Sequence, residues 1–373
     1  MLPTTIIVSG PSRRITLPSM SVTVLGERST RRATLARPSL VSPSLDVWLV
    51  GGVALVVWAV ARLTSGWSGW GSSTLVWTIT LLGGAHYVST YGLAAGAGAA
   101  GRRAHPWALV RLPVLAVVVT LAAAIALWNF GATAPLAWLV TLVFTFTVWH
   151  GIKQTYGVCR LLAAVRGVTV SPRQAQLLRY GFYPLWCSAV IALLDGGLRS
   201  SLGGLPVGWR VLPAGVSTVG TAASVVAAGA VVSALVWIRV SNGHLPLAIP
   251  VAAVAWLLWL AAPPPAAIAM LAAFHALQYL ACAHPVTWSR LAPHEQVDPW
   301  WPLRVFGPAG AVGLFVAAIL PPMLDQWLTV DGVAVATVVA FVVLNLQHYS
   351  MDMVIWRMSA PSMRAAIAAR SHG

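Results

Sequence analysis

Apolar and polar positions divide the chain into two unequal parts. Residues 1–45 carry Ser, Thr, Pro and Arg, including Arg13, Arg14, Arg28, Arg31, Arg32 and Arg37, without an apolar stretch long enough to span a bilayer. That composition predicts a disordered basic tail. Beyond Asp46 the pattern becomes long apolar runs separated by short breaks. About ten runs approach the ~20 residues needed to cross a membrane as a helix: 47–63, 74–98, 107–128, 135–159, 177–194, 216–238, 246–262, 266–288, 303–321 and 327–350. A bilayer offers no water to exposed backbone groups, so each run is expected to be helical. The expected fold is an all-α integral membrane protein, one bundle of about ten transmembrane helices over 46–359, with a short basic tail at 360–373.

Composition sharpens this picture. The 373 residues are 58% hydrophobic and 8% charged, with a mean hydropathy of +0.80, whereas soluble domains carry roughly 25% charged residues. Trp67, Trp70, Trp107, Trp300 and Trp301 flank apolar runs, where an amphipathic ring suits the membrane interface. Cys159, Cys187 and Cys282 form no Cys-x-x-Cys pair, which argues against a disulfide scaffold or a cysteine zinc site. The first thirty residues lack the pattern of a cleavable signal peptide, and Met20 is a second candidate start.

The formal net charge is +15, and its distribution decides its meaning. Arg102 and Arg103; Arg160, Arg166 and Arg173; Arg239; Arg290 and Arg304; and Arg357, Arg364 and Arg370 all follow even-numbered runs. The alternate loops, such as Thr64–Ser73, Gly131–Pro135 and Pro263–Pro265, are almost uncharged, and only 195–215, with Arg199 and Arg210, departs. Basic loops concentrate on the cytoplasmic side, so both termini are expected there. Anionic headgroups, rather than nucleic acid, are the expected partners of this charge.

Polar chemistry gathers in four segments. His86, His150, His275, His284 and His348 lie in apolar runs, and four of them sit in related surroundings: Gly83-Gly84-Ala85-His86 through Gly92, Trp149-His150-Gly151 through Gly157, Phe274-His275 through Tyr279, and Gln347-His348 through Arg357. All four belong to even-numbered runs. A rise of 1.5 Å per residue sets them between the midplane and the cytoplasmic interface, where they could share one layer. A polar residue follows each at i+4, on the same helical face: Thr90, Gln154, Tyr279 and Asp352.

Neutral imidazoles bind iron, copper or zinc, and several of them with a carboxylate leave positions on iron for oxygen or substrate. His86, His150, His275 and His348 are therefore candidate metal ligands, and Asp352, Tyr279 and Lys153 candidate catalytic groups. Plainer roles stand beside each. An intramembrane histidine is often a hydrogen-bonded helix contact. Asp352 has a salt bridge to Arg357 or Lys153 open to it. Lys153, the sole lysine, can snorkel to the headgroups. Tyr91, Tyr156 and Tyr279 can pack between helices with satisfied hydroxyls. His284, near a helix end, reads as interfacial, while Gly83, Gly84, Gly92 and Gly157 read as sites of close helix approach.

In order and character, these segments resemble the Brp/Blh family of bacterial membrane enzymes, which split β-carotene into retinal using iron held by intramembrane histidines. Ala85-His86, Trp149-His150-Gly151, Phe274-His275 and Gln347-His348 through Trp356-Arg357 answer to that family's Pro-His-Gly, Ile-His-Phe-Gly, Phe-Ile-His and final Pro-His to Phe-Arg segments, covering about a tenth of the chain. The early prolines are absent, Asp352 follows its histidine one residue sooner, and Tyr279 stands where the family has a second histidine. That ligand is missing here or supplied by Gln278, Asp352 or His284.

The resemblance implies a histidine-ligated iron enzyme of the bacterial cytoplasmic membrane. It would use dioxygen to oxygenate, hydroxylate or desaturate a hydrophobic small-molecule or lipid substrate, including carotenoid-like cleavage. No two histidines lie within five residues, which disfavours the His-x-x-His-His boxes of membrane desaturases and hydroxylases. Two other classes stay open: a transporter or channel whose histidines, Asp352 and Lys153 form a proton or ion relay, and a b-type haem protein with paired axial histidines.

Overall fold

The computed structural model describes residues 39–63, 72–96, 98–194, 200–207, 213, 215–261, 267–291 and 301–356. The N-terminal tail through residue 38, the C-terminal tail from 357, Trp67, Trp70, Arg199, Arg210 and Trp300 lie outside the described residues. Each apolar run contains a helix: α1 (Pro43–Leu63), α2 (Ser72–Gly96), α3 (Trp107–Phe130), α4 (Ala134–Val165), α5 (Pro172–Leu194), α6 (Val216–Asn242), α7 (Ala248–Ala261), α8 (Ala267–Leu291), α9 (Gly307–Leu328, entered from Trp301) and α10 (Val335–Ile355). Among the described residues, seven of these, α1, α3, α4, α5, α6, α9 and α10, are long and apolar enough to cross a membrane. They mark the chain as a multi-pass membrane protein. Exposed Val114, Leu115, Val118, Val225 and Val236 give α3 and α6 the apolar outer faces that lipid requires.

Local chemistry sets the helix ends. Ser42 caps α1 by accepting from the Leu45 N–H, with Pro43 at the first helical position, so the helical domain begins before Asp46. α3 stops at Gly131, where φ is 62°. Ser171 and Gln174 form a reciprocal capping box on α5. The Asp325 carboxylate on α9 reaches over to accept from the Ala336 and Thr337 N–H groups (2.7 and 3.2 Å), capping α10.

Two short hairpins depart from the all-helical expectation. β1 (Ser200–Leu202) pairs with β2 (Leu205–Val207) and β3 (Thr329–Val330) with β4 (Val333–Ala334), both antiparallel. Their turns, Gly203-Gly204 and Asp331-Gly332, have positive φ at both central residues, which matches the twist of a two-residue hairpin. The Ala334 N–H donates to the Gly203 carbonyl (2.9 Å), tying the hairpins together. The tenth run, expected to be one helix from 327, instead takes in the end of α9 and a hairpin before α10 begins at Val335.

Candidate metal centre

α2 packs against α8 and α10, and α4 packs against the same two helices, closing a ring in the order α2, α8, α4, α10. Their register matches. His86 meets His348 and His275 at one level, and one turn further Thr90 meets Asp352 and Tyr279, so α2, α8 and α10 run in the same direction.

Glycines seat two of these helices. Gly84 lies against α9, where an added Cβ would stand 2.7 Å from the Gly313 carbonyl carbon. Gly151, next to His150, lies so close to α7 that a Cβ would overlap the Trp256 ring. Gly83, Gly92 and Gly157 have nothing within 4 Å of an added Cβ. Of the four glycines expected to permit close approach, only Gly84 does so, and Gly151 takes the role given to the others.

The four imidazoles form one layer. The His86 and His348 Nε2 atoms are 2.9 Å apart. Ring centroids are 4.8 Å apart for His86 and His275, 4.7 Å for His150 and His275, and 4.9 Å for His150 and His348. Asp352 joins them, its Oδ2 standing 3.2 Å from His150 Nε2 and 3.6 Å from His348 Nε2. Two groups could each hold a metal ion, their ligand atoms lying within 4.8 Å of one another: His86, His275 and His348; and His150, His348 and Asp352. With metal–nitrogen bonds of about 2.1 Å, ligands around one ion stand roughly 3 Å apart at right angles and about 4.2 Å apart across it. His348 belongs to both groups, so the two are neighbours that share one imidazole.

The hydrogen bonding fits such a centre. His86 Nδ1, His150 Nε2, both ring nitrogens of His275, and Asp352 Oδ2 are buried without a hydrogen bond of acceptable geometry. Each such group costs about 1–3 kcal/mol unless something else binds it. Two other atoms of the cluster, His348 Nδ1 and Asp352 Oδ1, are anchored. His348 Nδ1 is 3.2 Å from Thr90 Oγ1, which lies 2.8 Å from the Tyr279 hydroxyl and donates to Asp352 Oδ1 (3.3 Å). An ionised Asp352 can only accept, so Thr90 accepts from the imidazole, leaving the proton on Nδ1 and a lone pair on Nε2.

The partner at i+4 serves the neighbouring helix in each case. Thr90 supports His348, and Tyr279 places its ring 3.9 Å from that of His86. Gln154 donates to the His275 carbonyl (2.7 Å), and Asp352 lies nearer His150 than its own His348. The layer is asymmetric. One turn toward the other end of each helix, at i−4, stand Leu82, Phe146, Leu271 and Leu344, all apolar. Leu344 also lines an open apolar groove of about 500 Å³ between α3, α9 and α10, with Leu121, Leu320 and Leu324.

Tyr279 and Asp352 are thus at the layer; Lys153 is not. Its ammonium lies over the Trp149 and Tyr183 rings (5.3 and 5.9 Å), and among the described residues it forms no ion pair with Asp352. Arg357, the other partner considered for Asp352, lies outside the described residues. Gln278 is committed elsewhere, donating to the Val50 carbonyl and accepting from Trp256 Nε1 (3.2 Å) and Thr155 (3.3 Å). His284 is buried and belongs to neither ligand group. Tyr91 donates to Gln347 (2.6 Å) away from the centre.

Asn345 and Tyr349 went unread in the sequence. Asn345 Oδ1 accepts from both Tyr87 and Tyr349 (2.9 Å each), and Tyr349 lays its ring 4.8 Å from that of His150. Their i, i+4 spacing within an apolar run was the available signal. No protein-family model, curated protein or solved structure matches the chain.

Proposed function

We propose that this is a membrane-embedded, histidine-ligated iron enzyme acting with dioxygen on a lipid-soluble substrate, in line with the short resemblance to the Brp/Blh family. One observation carries the reading: imidazoles from four helices and the Asp352 carboxylate gather in one buried cluster, in which His86 Nδ1, His150 Nε2, both His275 nitrogens and Asp352 Oδ2 have no hydrogen bond. Iron bound there would supply the oxidising chemistry. The chain's own residues hold His348 in one tautomer through Thr90, keep Asp352 available through its second oxygen, and exclude bulk water by burial. Edge-to-face packing of the four rings leaves no flat slot for a porphyrin, which favours a bare ion over haem.

The apolar i−4 layer and the groove at Leu344 support a hydrophobic substrate approaching from the lipid side, opposite the polar floor of Thr90, Tyr279 and Asp352. The same reading has ten spans, both termini in the cytoplasm, and a bacterial cytoplasmic membrane. Metal analysis with an electronic spectrum on detergent-purified protein tests it. Stoichiometric non-haem iron, lost in His150→Ala and His275→Ala, is expected. A haem spectrum, metal-free active protein or unchanged metal content in both variants would overturn it.

A further inference from the structure

Lys153 was singled out by the sequence and is left unused by the histidine layer. It belongs to another cluster, on the face shared by α4 and α5. The Tyr183 ring under its ammonium has a hydroxyl that accepts from Arg179 Nε (3.1 Å), and the Arg179 guanidinium lies 5.6 Å from the Tyr180 ring centre. On α4, Arg160 reaches the Tyr156 hydroxyl (3.4 Å). Lys153, Tyr156 and Arg160 follow at i, i+3 and i+7, and Arg179 and Tyr183 at i and i+4, so each set occupies one helical face. At 1.5 Å per residue, Lys153 and Arg160 are separated by about 10 Å along α4. Counted from the α4–α5 turn, Arg179 falls between them in depth.

Charge balance makes this face unusual. Lys153, Arg160 and Arg179 are half-buried, and among the described residues none forms an ion pair with a carboxylate. Arg166, six residues beyond Arg160, is instead tied to Asp46. Aromatic faces offset part of the repulsion between neighbouring cations. They bring no negative charge. The Tyr156 and Tyr183 hydroxyls accept from the arginines and so keep their own O–H free to donate. Three cations and two hydroxyl donors around one aromatic-lined face match a phosphate diester. At the basic end of two membrane helices, that diester belongs to a lipid headgroup.

We propose that the α4–α5 face binds the phosphate of an anionic phospholipid through Lys153, Arg160 and Arg179, with Tyr156 and Tyr183 donating to its oxygens. The site shares no ligand with the histidine centre and does not depend on the metal reading.

Native mass spectrometry of the delipidated full-length protein tests this, with phosphatidylglycerol, phosphatidylcholine and inorganic phosphate offered separately. Phosphatidylglycerol should bind in preference to phosphatidylcholine. Lys153→Gln and Arg179→Gln should each weaken it about fivefold, the effect of one basic residue at a lipid surface. Arg239→Gln, on the exposed end of α6, should leave it unchanged. Equal retention of the two lipids by the wild type would overturn the proposal, a result independent of how any variant folds. Unchanged affinity in the Lys153→Gln/Arg179→Gln protein would do the same, and competition by inorganic phosphate at equal concentration would reassign the site to the free anion.

Discussion

Asp46 and Asp352 are both buried carboxylates, 0% and 5% exposed, yet their surroundings differ in kind. Asp46 accepts from the Leu40 and Val41 N–H groups (3.0 and 2.9 Å) and pairs with Arg166 (3.1 Å), so both oxygens are occupied. Asp352 accepts from Thr90 at Oδ1, while Oδ2 faces the ring nitrogens of His150 and His348 without a hydrogen bond. A buried charge with every lone pair matched fastens a structure. One with an open oxygen among imidazole nitrogens has a lone pair that a cation could take.

The widest separation between the two regions should come from His348→Ala, because His348 belongs to both ligand groups. Metal content of the purified protein should fall to background while the chain stays folded by size exclusion, and retained metal would break the contrast. The two carboxylates then give a crossed pair. Asp46→Asn strands Arg166 and should lower stability by about 3–5 kcal/mol in denaturant unfolding, with metal per folded chain unchanged. Asp352→Asn should lower metal affinity with a smaller change in stability. Identical behaviour of the two variants would erase the distinction.

A subtler effect is expected at Thr90, which touches no proposed ion but positions His348. Thr90→Val should weaken metal binding by about 10–100-fold in a chelator competition, as loss of a ligand's supporting hydrogen bond does. Thr90→Ser should restore most of the affinity, whereas a role limited to packing would not be rescued by the hydroxyl. The smallest contrast separates adjacent glycines. Gly84→Ala should cost about 1–3 kcal/mol through its clash with Gly313, while Gly83→Ala, with open space around it, should be neutral or slightly stabilising in the same unfolding assay.

Periodicity made the helices legible, and counting residues along them placed His86, His150, His275 and His348 at one depth. Burial and ring contacts bear out that layer. Sequence spacing could not give the rotation of one helix against another. Spacing alone sets Thr90, Gln154 and Tyr279 beside the histidine one turn before them, whereas packing turns each toward the next helix. Lys153 failed to reach the layer for the same reason, drawn instead to Trp149 and Tyr183. Asp46 looked like the edge of a tail because its backbone and Arg166 partners are visible only once the chain is folded. The hairpins followed from turn residues, Gly203-Gly204 and Asp331-Gly332, that were present but outweighed by the surrounding hydropathy.

The proposed centre holds iron through imidazoles of the four-helix layer together with Asp352. X-ray absorption at the metal edge of the purified wild-type protein tests it most directly. The account predicts stoichiometric iron with a shell of nitrogen and oxygen ligands at about 2.0–2.2 Å and multiple scattering from several imidazoles, without a porphyrin pattern. Iron absent from the protein, or bound without imidazole scattering, would contradict it.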